Sequence, residues 1–405
     1  MKKTLIILTD QDIAFPFLEF EISYSTKARF SKIIVLSEGF SSVESKIPPD
    51  ITLIRKHNPI PIFFYSIKSL FSSIFWKELK LLTKDKAFIR KSIIALKNLS
   101  GVFWRKKLLK DVLKKIEGEV VIYSFWNDLF SYSACLLKRK NENIKLVSRV
   151  HGFDLFLERR IFSYMPFKWQ FVNDFNVLFF LSDSSLSYYK NSYKPKTKLK
   201  ISRLGIQLPS ISKQNYSYNE KVLRILSLSN CVSVKQIHKT TKALALLAKE
   251  NTNLKVKWTH IGGGPLLEIL KEEANTFAIN HSNFIPEFTG FMPNEEVQNL
   301  LQNNSYDIFI NSSLSEGTPV SIMEAMSYGI PVIAPNVGAM EEILTNKNGV
   351  LLNETIEPED IYLAIKSVLK EKILLSFRKE ARKMVEEKFD SNKNYLEFYT
   401  ELYNL

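Results

Sequence analysis

Two glutamates eight residues apart, Glu316 and Glu324, lie in the part of this sequence best suited to chemistry. Residues Asn311–Gly338 read NSSLSEGTPVSIMEAMSYGIPVIAPNVG, directly after the strand-like run Asp307–Ile310. Gly317 allows a ligand close to the backbone, and Pro319 suits the first turn of a helix. That helix is expected to run to about Tyr328 and to stop at Gly329. Glu316 then sits in the loop before the helix and Glu324 on its second turn. A carboxylate accepts two hydroxyl hydrogen bonds of the kind a sugar or ribose offers. The free amides at the helix start, around Thr318 and Pro319, bind anions or hydroxyls. An acidic residue that only steadies the helix dipole would explain Glu316 as well. It would not explain Glu324, whose apolar neighbours make an idle carboxylate costly.

Other candidates are single residues. Lys235, in SNCVSVKQI (Ser229–Ile237), follows a strand-like run and is placed to meet a pyrophosphate, unless it is a solvated loop lysine. His151 follows Lys145–Val150 in RVHGFDLFLERR, and Arg149 and Asp154 beside it are either ligand-binding or loop-fixing. Asp10-Gln11-Asp12 has the spacing of a metal-binding aspartate pair, and turn or cap aspartates are the preferred reading. The five histidines form no His-x3-His pair, and Cys135 and Cys231 form no Cys-x-x-Cys, so no metal site is read and a reducing compartment fits.

The elements that must position these residues come in two series. Thr4–Leu8, Lys32–Leu36, Glu119–Tyr123, Lys145–Val150 and Val177–Leu181 read as strands between helical patterns such as Leu129–Lys140. A polar stretch, Pro209–Glu220, reads as a linker. Arg224–Leu228, Lys255–Ile261, Asp307–Ile310, Pro331–Ala334 and Gly349–Leu352 form the second series, with a helix from about Lys239 to Glu250 and the Gly262-Gly263-Gly264 turn between them. Alternation of this kind predicts parallel sheets covered on both faces. The fold class is therefore α/β: two Rossmann-like, doubly wound domains facing a cleft, with ligands at the carboxyl ends of strands. The expected domains are 1–205 and 206–388. A final helix, 389–405, carries Tyr395, Phe398, Tyr399 and Leu402 on one face, has Asp390 as its cap, and is expected to cross back to the first domain.

Composition narrows the partners. The chain is 45% hydrophobic and 24% charged, ordinary globular values, with a net charge of +14. No run of 18 apolar residues suggests a membrane span, and Leu5–Leu8 is too short for a signal-peptide core. Ser66–Lys115 alone holds 14 Lys/Arg against 3 Asp/Glu, with Phe71, Phe75, Trp76, Phe88, Phe103 and Trp104 among them. Such a segment suits an anionic membrane surface or is a solvated helical face. No motif that reads nucleic acid is present.

The Asn311–Gly338 segment resembles the Glu-x7-Glu signature of glycosyltransferase family 4, through Glu316-Gly317, Pro319, Glu324-Ala-Met and Gly329-x-Pro331-Val332. The resemblance extends over roughly residues 119–400. It implies a GT-B fold and retaining transfer from a nucleotide-sugar donor to a saccharide or lipid-linked saccharide, without bound metal or other cofactor. Glu316 would approach the transferred sugar and Glu324 would hold the ribose. Lys235 would meet the diphosphate, with Asn230 standing where the family has an arginine. His151 would reach the donor from the first domain, and Phe291, in Phe288–Pro293, would lie near the base. The first loop, Thr9–Leu18, lacks the glycines common in the family. A cytoplasmic protein, peripheral on the inner membrane face and building surface polysaccharide, is the expectation. A related epimerase or phosphorylase, or a membrane-bound scaffold without catalysis, are the alternatives.

Overall fold

The computed structural model describes residues 2–10, 16–39, 47–56, 61–210 and 216–405; Gln11, Asp12 and the middle of the polar linker lie outside them. The chain forms two compact units, Met1–Arg203 with Asn394–Leu405, and Leu204–Lys393.

The first unit is built on a seven-stranded parallel sheet: β1 (Lys3–Thr9), β2 (Lys32–Ser37), β3 (Ile51–Arg55), β4 (Glu119–Ser124), β5 (Ile144–Val150), β6 (Val177–Phe180) and β7 (Lys198–Ile201). Their order is β3-β2-β1-β4-β5-β6-β7. Central β1 sets Ile6 opposite Ile34 on one side and Ile122 on the other. Its side chains feed two cores by alternation. Ile6 and Leu8 join Leu99 and Val102 of the Phe88–Leu113 helix. Leu5 and Ile7 join Ile22, Phe398, Tyr399 and Leu402, the last three from the Ser391–Tyr403 helix. Asp390 accepts the Asn392 N–H at 2.9 Å and so closes that helix's first turn.

The second unit holds a six-stranded parallel sheet: β8 (Val222–Leu228), β9 (Lys255–Ile261), β10 (Phe284–Gly290), β11 (Ile308–Ile310), β12 (Val332–Pro335) and β13 (Gly349–Leu352), ordered β10-β9-β8-β11-β12-β13. In each sheet the winding direction reverses once, between β1 and β4 and between β8 and β11. Chain leaves the two central strands toward opposite faces there, which opens a crevice at their carboxyl ends.

Three strands are absent from the series expected from the sequence: β3, β7 and β10, the last ending at Phe288–Gly290. All three lie at sheet edges. Phe75 is a further correction: it lies in the core, 5% exposed, and Phe103 packs against that core, whereas Phe71 and Trp76 are exposed. Among the described residues no helix is long and apolar enough to cross a membrane.

One ion pair is wholly enclosed in the first unit. The Arg149 guanidinium donates to Glu21 at 2.5 Å and to Ser202 Oγ at 2.8 Å, and lies 4.0 Å from the Phe398 ring. Tyr123 OH donates to the other Glu21 oxygen at 2.7 Å. Arg149 is thus a structural anchor between β5 and the last helix. Removing one member of a buried pair strands the other charge. Arg149→Ala is therefore expected to cost about 3–5 kcal/mol, and Arg149→Met with Glu21→Gln together to cost less. Urea unfolding of the two variants checks this.

Candidate active site

In the second unit, β8 ends at Leu228 and the chain turns through Ser229–Val232 into a single 3-10 turn, Ser233–Lys235. Gln236 is left-handed (φ 47°) and starts the Ile237–Glu250 helix. Ser312, after β11, ties this loop down: its hydroxyl lies 2.9 Å from Lys235 O and 3.1 Å from Gln236 O, and accepts from Thr240 Oγ1 at 3.1 Å. Leu314 N–H donates to Val234 O at 2.8 Å. The loops after the two switch-point strands are thus bonded to each other. Between them lies an open recess lined by Ser229, Lys235, Asn311 and Ser313 among others.

The Lys235 ammonium donates to Glu316 Oε1 at 2.6 Å, and Asn311 Nδ2 donates to the same oxygen at 3.0 Å. An ammonium has three N–H donors, so two remain for an anion. Glu316 precedes the Val320–Ser327 helix, where Pro319 is the N-cap and Gly329 (φ 71°) ends the element. Gly338 supports Glu316 from behind. Its φ is 64°, and a Cβ there would fall 2.2 Å from Glu316 O. Only glycine lets the two segments approach so closely.

Glu324 points inward from the helix and is 9% exposed. Asn294 Nδ2 and Gln298 Nε2, both on the Asn294–Asn303 helix, donate to its Oε1 at 2.9 and 3.0 Å. Burial still raises its carboxyl above the ordinary range. Both amides take one oxygen, which leaves Oε2 for a further donor. The sequence did not reveal these two amides, because they sit on a neighbouring helix. Asn230 is exposed on the β8 loop. Phe291 is 80% exposed and lies against Gly263, whose turn packs on Ser229 and Cys231. Behind that turn runs a buried chain: Trp258 Nε1 donates to Ser227 Oγ, which lies 2.8 Å from His260 Nδ1, with Cys231 Sγ 3.4 Å from the other ring nitrogen.

His151 belongs to the first unit, in a second polar constellation at the β1/β4 switch point. Its ring stacks on Phe125 at 4.7 Å and leans on Trp126 at 4.5 Å. Both ring nitrogens are shielded from solvent and have no hydrogen-bond partner. Burial, with Arg149 nearby, lowers its pKa to about 3, so the ring is neutral at pH 7. It can offer a N–H or a lone pair, but no charge. Asp154 fixes its loop by accepting the N–H groups of His151 and Asn127, each at 2.6 Å, while Lys168 donates to the Asp154 and Asn127 carbonyls.

Around His151 stand groups the sequence reading did not assemble. Arg105 donates to Glu38 Oε2 at 2.5 Å, yet burial raises the Glu38 carboxyl to about 7. Asp128 is raised to about 8, first by burial and then by Asp10 and Asp154. Polar atoms of Glu38, Arg105, Trp126, Asn127, Asp128 and Arg160 are buried without partners here. Native interiors leave few such atoms unpaired, so their clustering here is unusual. They come from residues far apart in the chain, with no local motif to announce them.

Residues 210–388, within the second unit, match the family model described as Glycosyl transferases group 1. The chain is 26% identical over 217 residues to WcaL of Escherichia coli, a candidate colanic acid biosynthesis glycosyltransferase, with 52% of each chain covered. It thus spans about half the length of that curated relative. Among solved structures, a Rickettsia africae glycosyltransferase superposes with a TM-score of 0.69 at 16% identity over 99% of both chains. The Anabaena protein HepE, in complex with UDP and glucose, gives 0.66 at 17% identity over the full length of both. The fold is that of the GT-B glycosyltransferases.

The raised Asp128 carboxyl makes a signed prediction. Its pKa is higher folded than unfolded, so ionising it costs stability as pH rises from about 4 through about 8. Below that window Asp128 is protonated and resembles an asparagine. Asp128→Asn is therefore expected to melt close to the parent protein at pH 4 and progressively above it toward pH 8. Thermal melts across this range check it; a gap independent of pH would be the contrary result.

Proposed function

We propose that this protein is a retaining glycosyltransferase that moves a sugar from a nucleotide-sugar donor to a saccharide or lipid-linked saccharide during surface polysaccharide assembly. The observation that carries this reading is the Lys235–Glu316 pair at the β8/β11 switch point, beside the start of the Val320–Ser327 helix. The match to a glycosyl transferases group 1 domain over this region supports it, as does the polysaccharide role in the name of WcaL.

In this reading the donor diphosphate takes the two remaining Lys235 donors and the backbone N–H groups of Gly317, Thr318 and Val320. These groups favour the charge that grows on the phosphate as the sugar–oxygen bond breaks. Glu316, held by Lys235 and Asn311, presents its carboxylate to the transferred sugar. Glu324 Oε2 accepts from the ribose hydroxyls, while Asn294 and Gln298 keep the carboxylate oriented. The acceptor hydroxyl gives its proton to the departing phosphate. The polar groups around His151 take the acceptor, with the neutral imidazole and the protonated carboxyl of Asp128 as hydrogen-bonding partners for hydroxyls.

Glu316→Gln is expected to reduce transfer far more than donor affinity, since it removes charge at the reacting sugar. Glu324→Ala is expected to weaken donor binding by about 1.5–3 kcal/mol, the value of hydrogen bonds to a charged acceptor. Donor calorimetry alongside a transfer assay separates the two, and full activity in both would remove the assignment. Transfer is also expected to survive EDTA, because Lys235 and the helix amides supply the positive field. A manganese-restorable loss would instead point to Asp10 and its neighbours.

A further inference from the structure

The first unit has one flank that its own core does not use. Three helices form it, Pro61–Leu70, Ser73–Leu82 and Phe88–Leu113, packed on one another. Among the described residues, eight of the twenty-one exposed large hydrophobic side chains fall between Phe64 and Ile93. Phe71 is 85% exposed, Ile89 72%, Ile93 63% and Trp76 60%. The Ser73–Leu82 helix shows why this is a face and not scatter. Phe75, Glu78 and Leu82 turn inward, while Trp76, Lys77, Lys80 and Leu81 turn out, followed by exposed Lys84. Trp76 is held in place by its indole N–H, which donates to Leu70 O at 2.7 Å.

The charge on this flank is one-sided. Residues 64–98 contain eight Lys/Arg and two acids. Glu78 is buried and accepts from Tyr164 OH, Trp169 Nε1 and Gln170 Nε2 at 2.8–3.0 Å. Asp85 accepts from Lys91 at 2.6 Å. Neither acid offsets Lys77, Lys80, Lys84 or Arg90 at the surface. Arg105, by contrast, is committed to Glu38, and Phe103 packs against the core. The outward cations therefore lie on the first two helices and the beginning of the third.

We propose that this flank docks on an anionic lipid bilayer. Lysines interleaved with exposed Trp, Phe and Ile side chains match phosphate headgroups above shallow acyl chains. A nucleic acid would satisfy the lysines but leave the isoleucines in water. A polar protein partner would do the same. The docked flank would bring the protein to acceptors that are themselves membrane lipids.

The test is co-sedimentation of the full chain with vesicles of phosphatidylglycerol and phosphatidylcholine, and with phosphatidylcholine alone. Binding is expected only with the anionic lipid and should weaken as sodium chloride rises, since screening shortens the reach of surface charge. Lys77→Glu, Lys80→Glu and Lys84→Glu together should lower partitioning about a hundredfold or more, from roughly one surface lysine's attraction each. Lys80→Glu alone, with less disturbance of the helix, should lower it several-fold, and Trp76→Ser should weaken binding at low salt. Unchanged partitioning, equal binding to neutral vesicles, or a dimer in solution that the same substitutions dissolve would overturn the proposal. The readout requires no sugar transfer, so it stands or falls apart from the assignment of the reaction.

Discussion

The single reversal of winding in each sheet is the constraint on which the functional architecture rests. Where neighbouring strands send their chains to opposite faces, the carboxyl ends of those strands cannot be covered by their own connections. Backbone amides and short loops are left facing a crevice. In the second unit that crevice holds Lys235, Asn311 and Glu316, and in the first it holds Glu38, Asn127, Asp128 and His151. The two sets differ because their surroundings differ, although each begins at the same kind of topological gap.

The difference is electrostatic. Glu316 meets a lysine and an amide at hydrogen-bond distance. Glu38 and Asp128 are more deeply enclosed than their partners can offset, and their carboxyls rise toward neutrality. One crevice thus offers a lysine ammonium beside a carboxylate, and the other sets Arg105 and Arg160 among carboxyls held toward neutrality. The glutamates elsewhere show how strongly context decides: Glu21 is locked to Arg149 in the core, and Glu78 is consumed by three neutral donors.

What could be read from the sequence follows the spacing of the residues involved. Glu316, Pro319, Glu324 and Gly329 lie within one loop and one short helix, so their order in the chain nearly equals their arrangement in space. Lys235 could be placed because it follows a clear strand. Asn294 and Gln298, which orient Glu324, sit on a polar helix with no distinctive pattern. The first-unit constellation draws on positions from Asp10 to Arg160, and nothing in any one stretch reports the convergence. The missed strands have a similar cause. Ile51–Arg55 and Lys198–Ile201 are edge strands with little burial, and Phe284–Gly290 contains Pro286, which a central strand would exclude. Phe75 and Trp76 are adjacent aromatic residues on one helix, and only the packing decides which of them is core.

The return of the last helix has a consequence for how the molecule is made. Tyr395, Phe398, Tyr399 and Leu402 fill one face of the first sheet, but they are synthesised after the whole of the second unit. Until they emerge, Leu5, Ile7, Val35 and Phe179 have part of their apolar covering missing. The second unit, Leu204–Lys393, is therefore complete in sequence before the first unit is. Contacts of such long sequence separation form slowly, and a waiting apolar sheet is open to aggregation. Translation through the second unit therefore sets a minimum lifetime for an unfinished first unit, and faster elongation would shorten its exposure.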